Sequence, residues 1–323
     1  MPRRHQNQEI SMLSIRVAPN NTVSTDDVLL PSPLPDQAVV RVHASTINRG
    51  ELALIEAREP GWGPGQDVAG VVAEAAPDGS GPPVGTRVVG LAEQGAWSDD
   101  VAVTASRLAT VPESVDLTAA ATLPMAGLTA LRTVRQLGSI VGRHVLITGA
   151  AGGVGRFQVQ LAQLSGATVT ALTRTPDTIA DARMITDIQH AEPADAALDS
   201  VGGPALAGVL AALRPRGVLV LLGASSGRRT PLSIYDFVGH EGVSVHTYFS
   251  YTADPHDDRT DLEFLLSLLS NGRLTTDITA TWPLHQTSRA LSHFASHSTR
   301  GKIVLTNNVA EKRGRTGVAQ DGS

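Results

Sequence analysis

The stretch His144–Thr173 constrains this chain more than any other. His144–Thr148 (HVLIT) and Thr168–Leu172 (TVTAL) are short, largely apolar runs of the kind that form buried strands. Between them stands GAAGGVG at Gly149–Gly155, followed by Val154, Phe157, Leu161 and Leu164 at three- and four-residue spacing. That spacing predicts one apolar helix face, with Gly166 just past its end as the residue that stops it. Two buried strands joined by a helix within about thirty residues make a parallel βαβ unit.

Ala150, Gly152 and Gly155 fit the pattern G/A-x-G-x-x-G between strand and helix, with Gly153 and Val154 completing the turn. A turn without side chains lets a pyrophosphate approach the backbone, where the helix N-terminus offers unpaired N–H groups and the positive end of its dipole. A glycine triplet alone marks many tight turns; inside a complete βαβ unit it points to a dinucleotide. An NAD-specific site places Asp or Glu at the end of the second strand, ~20 residues on. Here that place reads Leu172-Thr173-Arg174-Thr175, with no acid before Asp177. Arg174 can pair with a 2′-phosphate and Thr173 can add a hydroxyl, so the expected cofactor is NADPH.

The rest of the chain frames this unit. Its 323 residues suggest two domains at ~100–200 residues each. From Met12 to about Thr118, short β-rich runs such as Ala38–His43, Asp67–Ala73 and Thr86–Leu91 are broken by Gly and Pro, which predicts a compact β domain. From about Leu123, strands alternate with helical stretches, which predicts an α/β parallel sheet. Further strands are expected at Ala196–Asp199, Val218–Leu222, Val243–Phe249 and Lys302–Leu305. Net charge is −5, and no dense Lys/Arg patch invites nucleic acid. No run reaches the ~20 apolar residues of a membrane span, and MPRRHQNQEI lacks the apolar segment of a secretory signal. The expectation is a cytoplasmic protein with a flexible extension at 1–11 and a disordered tail at 307–323. There is no cysteine, which excludes disulfides, thiol nucleophiles and thiolate zinc sites.

GAAGGVG, the upstream Leu123–Ala130 (LPMAGLTA), Asp199–Gly203 (DSVGG) and the ending Arg300–Leu305 (RGKIVL) occur in the order found in medium-chain dehydrogenase/reductases. The chain resembles their zinc-free quinone oxidoreductase branch over about residues 12–306. The resemblance implies a GroES-like β-rich catalytic domain (12–118, completed by 272–306), a Rossmann doubly wound parallel-sheet domain (119–271), and a homodimer. Zinc relatives carry Gly-His-Glu where this chain has Gly65-Gln66-Asp67. His293 and His297 have i,i+4 spacing but no third ligand type nearby, and are read as a polar helix face.

By the same resemblance, Asn48 contacts the cofactor or polarises the substrate, and Thr129 hydrogen-bonds the cofactor. Val201, Gly202, Gly223 and Ala224 fall at the C-terminal ends of strands, where ligands bind in open α/β sheets. Tyr248, Phe249 and Tyr251 are three of only eleven aromatic residues (three Trp, three Tyr, five Phe). They suit a wall for a flat apolar substrate, with one tyrosine bonding a carbonyl or, alternatively, an interface. Two departures stand out. Relatives carry a Tyr shortly after the Asn, whereas Asn48-Arg49-Gly50-Glu51-Leu52-Ala53-Leu54 has none, so the proton comes from water or elsewhere. The segment between Arg174 and Asp199 is short for a helix, a turn and a strand. The resulting expectation is an NADPH-dependent reductase of an activated C=C bond in an apolar small molecule, acting without metal. Alternatives are a reductive cyclase or tailoring reductase of specialised metabolism, a non-catalytic NADPH-binding protein, and a zinc-independent alcohol dehydrogenase.

Overall fold

Short runs rich in Val and Ala build the first unit of the computed structural model, which describes residues 11–296 and 300–307. Ser11–Ala18 (β1) and Thr22–Leu29 (β2) form an antiparallel hairpin. Its turn holds Asn20 and Asn21 at φ 65° and 58°, a left-handed conformation that Asn tolerates better than bulkier residues. Gln37–Ile47 (β3), Asp67–Glu74 (β4), Arg87–Leu91 (β5), Asp100–Thr104 (β6) and Leu108–Thr110 (β7) follow. β3 pairs with both β4 and β6, and β5 pairs with both β4 and β7, all antiparallel. Val40, Val42, Val68, Val88 and Val103 meet in one buried cluster, where branched side chains pack well on a pleated surface. Helices Arg49–Ala57 (α1) and Leu117–Ala120 (α2) complete this stretch. The N-cap of α2 is Asp116, whose carboxylate accepts from the Thr118 and Ala119 N–H groups.

The second unit is the parallel sheet and its helices. A π-helical turn at Leu123–Gly127 runs into Leu128–Gln136 (α3). Then come His144–Thr148 (β8), Gly153–Leu164 (α4), Thr168–Leu172 (β9), Arg183–Ile185 (β10), Ala194–Asp199 (β11), Pro204–Ala211 (α5), Leu213–Leu221 (β12), Ser244–Thr247 (β13) and Asp258–Ser270 (α6). Strand order is β10-β9-β8-β11-β12-β13, with every pairing parallel. The order reverses between β8 and β11, the switch point where the C-terminal strand ends open a crevice. Ile278–Pro283 (β14), Thr287–Ala295 (α7) and Lys302–Thr306 (β15) return the chain to the first sheet, where β15 lies between β14 and β3. Leu284, Ala290, Phe294, Ile303 and Leu305 share a buried cluster with Ile15, Ile47 and Trp97. Among the described residues, 11–121, 280–296 and 303–307 form one compact unit and 122–279 with 300–302 the other.

The α4 face differs from its periodic reading. Phe157, Val159, Leu161 and Ala162 are buried, while Val154 is half-buried and Leu164 is 37% exposed. The helix is covered by α3 as well as by the sheet, and Gln158 Nε2 donates to Thr133 Oγ1 at 2.8 Å. The buried arc is therefore broader than one stripe, and Leu164 in the last turn lies beyond it. Gly166, at φ +85°, ends the helix. Its N–H bonds Gln163 O at 2.9 Å and the Ala167 N–H bonds Ala162 O at 3.0 Å, the paired bonds of a Schellman ending. No helix lies between β9 and β10; residues 173–182 make the crossover and Ile179 is buried along it. The expected strand at 243–249 is shorter, and β13 is exposed along its whole length at the sheet edge. Residues 1–10, 297–299 and 308–323, which include His297 and nearly all of the expected extension and tail, lie outside the described residues. Among the described residues no helix is long and apolar enough to cross a membrane.

Candidate active site

The glycine turn follows β8 because Gly149 takes φ +62° and turns the chain back on itself. The Gly152 N–H bonds Gly149 O at 2.9 Å, and α4 starts at Gly153 with no side-chain cap and no acid in its first turn. Two glycines are required for different reasons. A Cβ on Gly155 would lie 2.4 Å from Gly149 O and 2.6 Å from Ala150 Cα, so this glycine lets the helix press against the turn. A Cβ on Gly152 would meet only Gly149 O, at 3.2 Å. Packing thus explains Gly155 and leaves Gly152 bare on a surface suited to a phosphate. Ala150 is fully buried, and the Lys302 stem lies over Gly153.

The loops after β11 and β12 close around the same end of the sheet. Asp199 is fully buried and holds the first of them. It accepts from Thr148 Oγ1 at 2.5 Å and from the Gly202 N–H at 2.8 Å. The Ser225 N–H donates to Ser200 O at 3.1 Å and the Ser226 N–H to Val201 O at 3.0 Å. A Cβ on Gly202 would lie 3.6 Å from Ala224 Cα, and one on Gly223 would lie 2.8 Å from Ser200 O. The structure therefore brings Val201, Gly202, Gly223 and Ala224 together.

Burial pushes the Asp199 carboxyl above the ordinary carboxylate range, against its hydrogen bonds from Thr148 and Gly202. The native state then keeps this proton to a higher pH than the unfolded chain does. Its contribution to stability is fullest in acid and is lost as pH rises through the folded-state pKa. Asp116 and Asp195 shift downward and act in the opposite sense. Denaturation midpoints of wild type and Asp199→Asn, followed from acid to neutral pH, are expected to converge in acid. Wild type should lose ground to the variant as pH rises, and parallel curves would refute the assignment.

At the end of β9 the buried Thr173 hydroxyl donates to Thr175 O at 2.8 Å, within its own loop. Arg174 is exposed. Two arginines that sequence reading missed converge here. Arg156 Nη2 lies 2.6 Å from Asp177 Oδ2. Arg300 donates to Thr175 Oγ1 at 3.2 Å and to Asp177 Oδ1 at 3.4 Å. The first acid after β9 is thus engaged by two cations. Arg300 lies 125 and 123 residues from these partners; in the sequence it stands only as the first residue of the RGKIVL ending, with nothing there to assign it to the cofactor.

The aromatic group is divided. Tyr248 is 9% exposed; burial pushes its phenol above the ordinary range, with Arg132 and Thr129 beside it pulling the other way. Phe249 and Tyr251 are each 63% exposed. Thr129 and Tyr248, far apart in sequence, are therefore neighbours.

In the first unit Asn48 is the N-cap of α1. Its N–H donates to Glu51 Oε2 at 2.7 Å, and Glu51 Oε1 accepts from the Gln66 N–H at 3.2 Å. The Asn48 Nδ2 donates to Asp67 Oδ2 at 2.8 Å, an oxygen also bonded by Thr46 Oγ1. Asp67 and Glu51 are fully buried, so the amide is held in one orientation. Gln66 lies between these two acids in the chain's fold, its backbone bonded to Glu51 and to Ala92. Among the described residues no group of three or more His, Cys, Asp or Glu side chains is placed to hold a metal ion.

Comparison with known proteins gives two family matches: an alcohol dehydrogenase GroES-like domain over residues 34–113 and a zinc-binding dehydrogenase domain over residues 166–305. The spectinabilin polyketide synthase system protein NorB of Streptomyces orinoci is 32% identical over 316 residues. The match covers 90% of this chain and only 14% of NorB. A 2-haloacrylate reductase of a Burkholderia species is 28% identical over 318 residues, covering 89% of this chain and 95% of its own. Among solved structures, a mycobacterial quinone oxidoreductase superposes with TM-score 0.82 at 25% identity, covering 92% of this chain and 100% of that one. A mycobacterial protein complexed with NADPH gives TM-score 0.83 at 24% identity over the same shares.

Proposed function

The chain belongs to the medium-chain dehydrogenase/reductase family, and from that premise we propose that it is an NADPH-dependent reductase of an activated C=C bond in an apolar small molecule, acting without a metal. The observation that carries this reading is the pairing of a bare glycine cradle with a strand end whose acid, Asp177, is engaged by Arg156 and Arg300. A free carboxylate there would favour an unmodified ribose; cations favour a 2′-phosphate. A reductase of 2-haloacrylate, which is an alkene conjugated to a carboxylate, is among the relatives, and a neighbour of the same fold is complexed with NADPH.

The cradle fits a dinucleotide because Gly152 leaves room where a side chain has no structural reason to be absent. The Gly152–Gly155 backbone receives the pyrophosphate, Arg174 and Arg300 the 2′-phosphate, and Val201, Gly223 and Ala224 line the strand ends beyond. When bound, the nucleotide supplies a hydride to the electron-poor carbon of the alkene. The residues contribute position and polarity. The Asn48 amide, oriented by Asp67, donates to a carbonyl oxygen or to the cofactor, and Phe249 and Tyr251 present apolar surface to a flat substrate. The α-carbon takes its proton from water. The absence of cysteine and the presence of Gln66 and not His before Asp67 support a metal-free reaction. The 32% identity with NorB favours a substrate of polyketide type, within which a tailoring reductase or reductive cyclase is the second reading.

The test is a panel of enones and quinones with NADPH deuterated at its transferable position. From an enone the expected product is the saturated ketone with one deuterium at the β-carbon, and from a quinone the hydroquinone. A new carbon–carbon bond would favour the cyclase. Tight NADPH binding with no turnover across the panel would overturn the reductase reading for a non-catalytic nucleotide-binding role.

A further inference from the structure

We propose that the first unit binds a small aliphatic α-amino acid in a cleft between β1 and β6, with the carboxylate on Arg16 and the ammonium on Glu93. The cleft has a volume of about 250 Å³, and all the residues that line it lie between 12 and 104. It is built by the first unit alone, and the dinucleotide reading neither supports it nor depends on it.

Strand geometry makes the cleft. Residues two apart share a face of a strand, so Met12 and Arg16 line it from β1, and Asp100, Ala102 and Thr104 line it from β6. The β1 backbone is tied to the loop before β6. The Leu13 N–H donates to Asp99 Oδ2 at 2.8 Å, and the Ile15 N–H donates to Trp97 O at 2.8 Å. Met12 and Leu91, 8% and 6% exposed, give the cleft an apolar wall together with Pro31.

Two opposite charges line this space without meeting. Arg16 Nε is shielded from solvent and bonds nothing, and Nη1 has one long contact, 3.4 Å, with Gly61 O. Among the described residues neither Arg16 nor Glu93 takes part in an ion pair. The other acid of the cleft, Asp100, has Arg41 at 3.4 Å. A buried N–H is costly to leave unmade, and in folded proteins such a group is met by water or by a ligand. The chain also makes room for this guanidinium. A Cβ on Gly63 would fall 2.7 Å from Arg16 Nη1, and Gly63 has no left-handed backbone to explain its missing side chain. Gln37 adds donors to the same lining: its Oε1 accepts from the Leu34 N–H at 3.0 Å, which leaves its NH₂ group to donate.

The mixture of charges selects the ligand. A guanidinium edge offers the parallel N–H pair that a carboxylate accepts. A plain carboxylate would be repelled by Glu93 and Asp100, and a plain amine would leave Arg16 unmet. A zwitterion satisfies both, and the wall of Met12, Leu91 and Pro31 calls for an aliphatic side chain. The space is smaller than the ~300–1,000 Å³ of pockets for drug-sized ligands, which suits a molecule of leucine size.

The test is calorimetric titration of the full chain with L-leucine, with 4-methylpentanoate, which lacks the ammonium, and with 3-methylbutylamine, which lacks the carboxylate. L-leucine is expected to bind, and each analogue to bind at least tenfold more weakly. Arg16→Met keeps an unbranched stem but loses the fork, and should weaken L-leucine tenfold or more. Gly63→Ala touches no ligand; by pushing Arg16 Nη1 aside it should weaken L-leucine severalfold. Glu93→Gln should weaken L-leucine and tighten 4-methylpentanoate. NADPH affinity should match wild type in all three variants, and failure of wild type to bind NADPH would bring down the reductase reading alone. If Arg16→Met fails to fold, Glu93→Gln decides, because Glu93 is exposed. No L-leucine binding by wild type, equal binding of 4-methylpentanoate, or L-leucine affinity indifferent to Arg16→Met or to Glu93→Gln would each overturn the proposal and leave Arg16 Nε to a bound water.

Discussion

Gly152→Val is expected to abolish binding of NADPH and NADH alike while leaving the protein folded. Gly152 has φ −78° and ψ 172°, an extended conformation in which a β-branched residue is at ease. Its added Cβ would meet one atom, Gly149 O, at 3.2 Å, so the turn must give by only a few tenths of an ångström. A cost within about 1 kcal/mol of stability is expected. The isopropyl group would occupy the space through which a pyrophosphate reaches the unpaired N–H groups of α4. Losing two charge-assisted hydrogen bonds of ~1.5–3 kcal/mol each means roughly a hundredfold or greater loss of affinity. Gly155→Val gives the contrast. Its Cβ would strike backbone atoms at 2.4 Å and 2.6 Å, and overpacking of this kind costs about 1–3 kcal/mol or more. Calorimetry and nucleotide fluorescence on the two variants separate the roles. Gly152→Val should melt near wild type and bind nothing, and Gly155→Val should melt early. Normal nucleotide affinity in Gly152→Val would remove the cradle from the functional account.

The contrast also shows which parts of this molecule can be read from its sequence. The βαβ unit is legible because its signals are local: an apolar run, a glycine turn and a helix stop lie within His144–Thr173. β2 is harder to read, since TVSTDDVL is mostly exposed and pairs with β1 alone. β10 is only three residues long, Arg183–Ile185, and is held by pairing to β9 without any apolar pattern of its own. The site divides in the same way. The cradle and the strand-end glycines are sequence signals, because a missing side chain is visible in the letters. The cations are not. Arg132 reaches acids 126 and 129 positions away, and Arg300 reaches back across 123 and 125 residues. An exposed arginine and a site-forming arginine look alike until the fold brings their partners near. Asn48 lies between these extremes: its capping partner Glu51 is three residues on, but the Asp67 that orients its amide is nineteen away.

The charge arrangement at the end of β9 predicts that Arg174→Ala and Arg300→Ala each weaken NADPH selectively. Arg300 is about half exposed, at 47%, and its contact with Asp177 is long, 3.4 Å; little of its charge is committed to that acid. Asp177 has a closer partner in Arg156, 2.6 Å away, with both side chains largely buried. Arg156 also reaches Asp277 at 2.6 Å. Arg156, shared between the two acids, is thus the closer partner of Asp177, and Arg300, held to that acid only by the long contact, is left able to turn toward a 2′-phosphate from its place beside Thr175. A charge-assisted hydrogen bond contributes ~1.5–3 kcal/mol, so each alanine variant should raise the Kd for NADPH about tenfold or more. NADH, which lacks the 2′-phosphate, should bind both variants nearly as it binds wild type. The double variant should bring the two nucleotides close to equal affinity. Raising salt should erode the NADPH advantage in wild type and have little to erode in the double variant. Asp177→Asn works with the opposite sign: removing the negative charge nearest the phosphate should strengthen NADPH relative to NADH. Equal losses for both nucleotides on changing either arginine would show that these side chains shape the loop and do not read the phosphate. NADPH preference would then have to arise elsewhere at the strand ends.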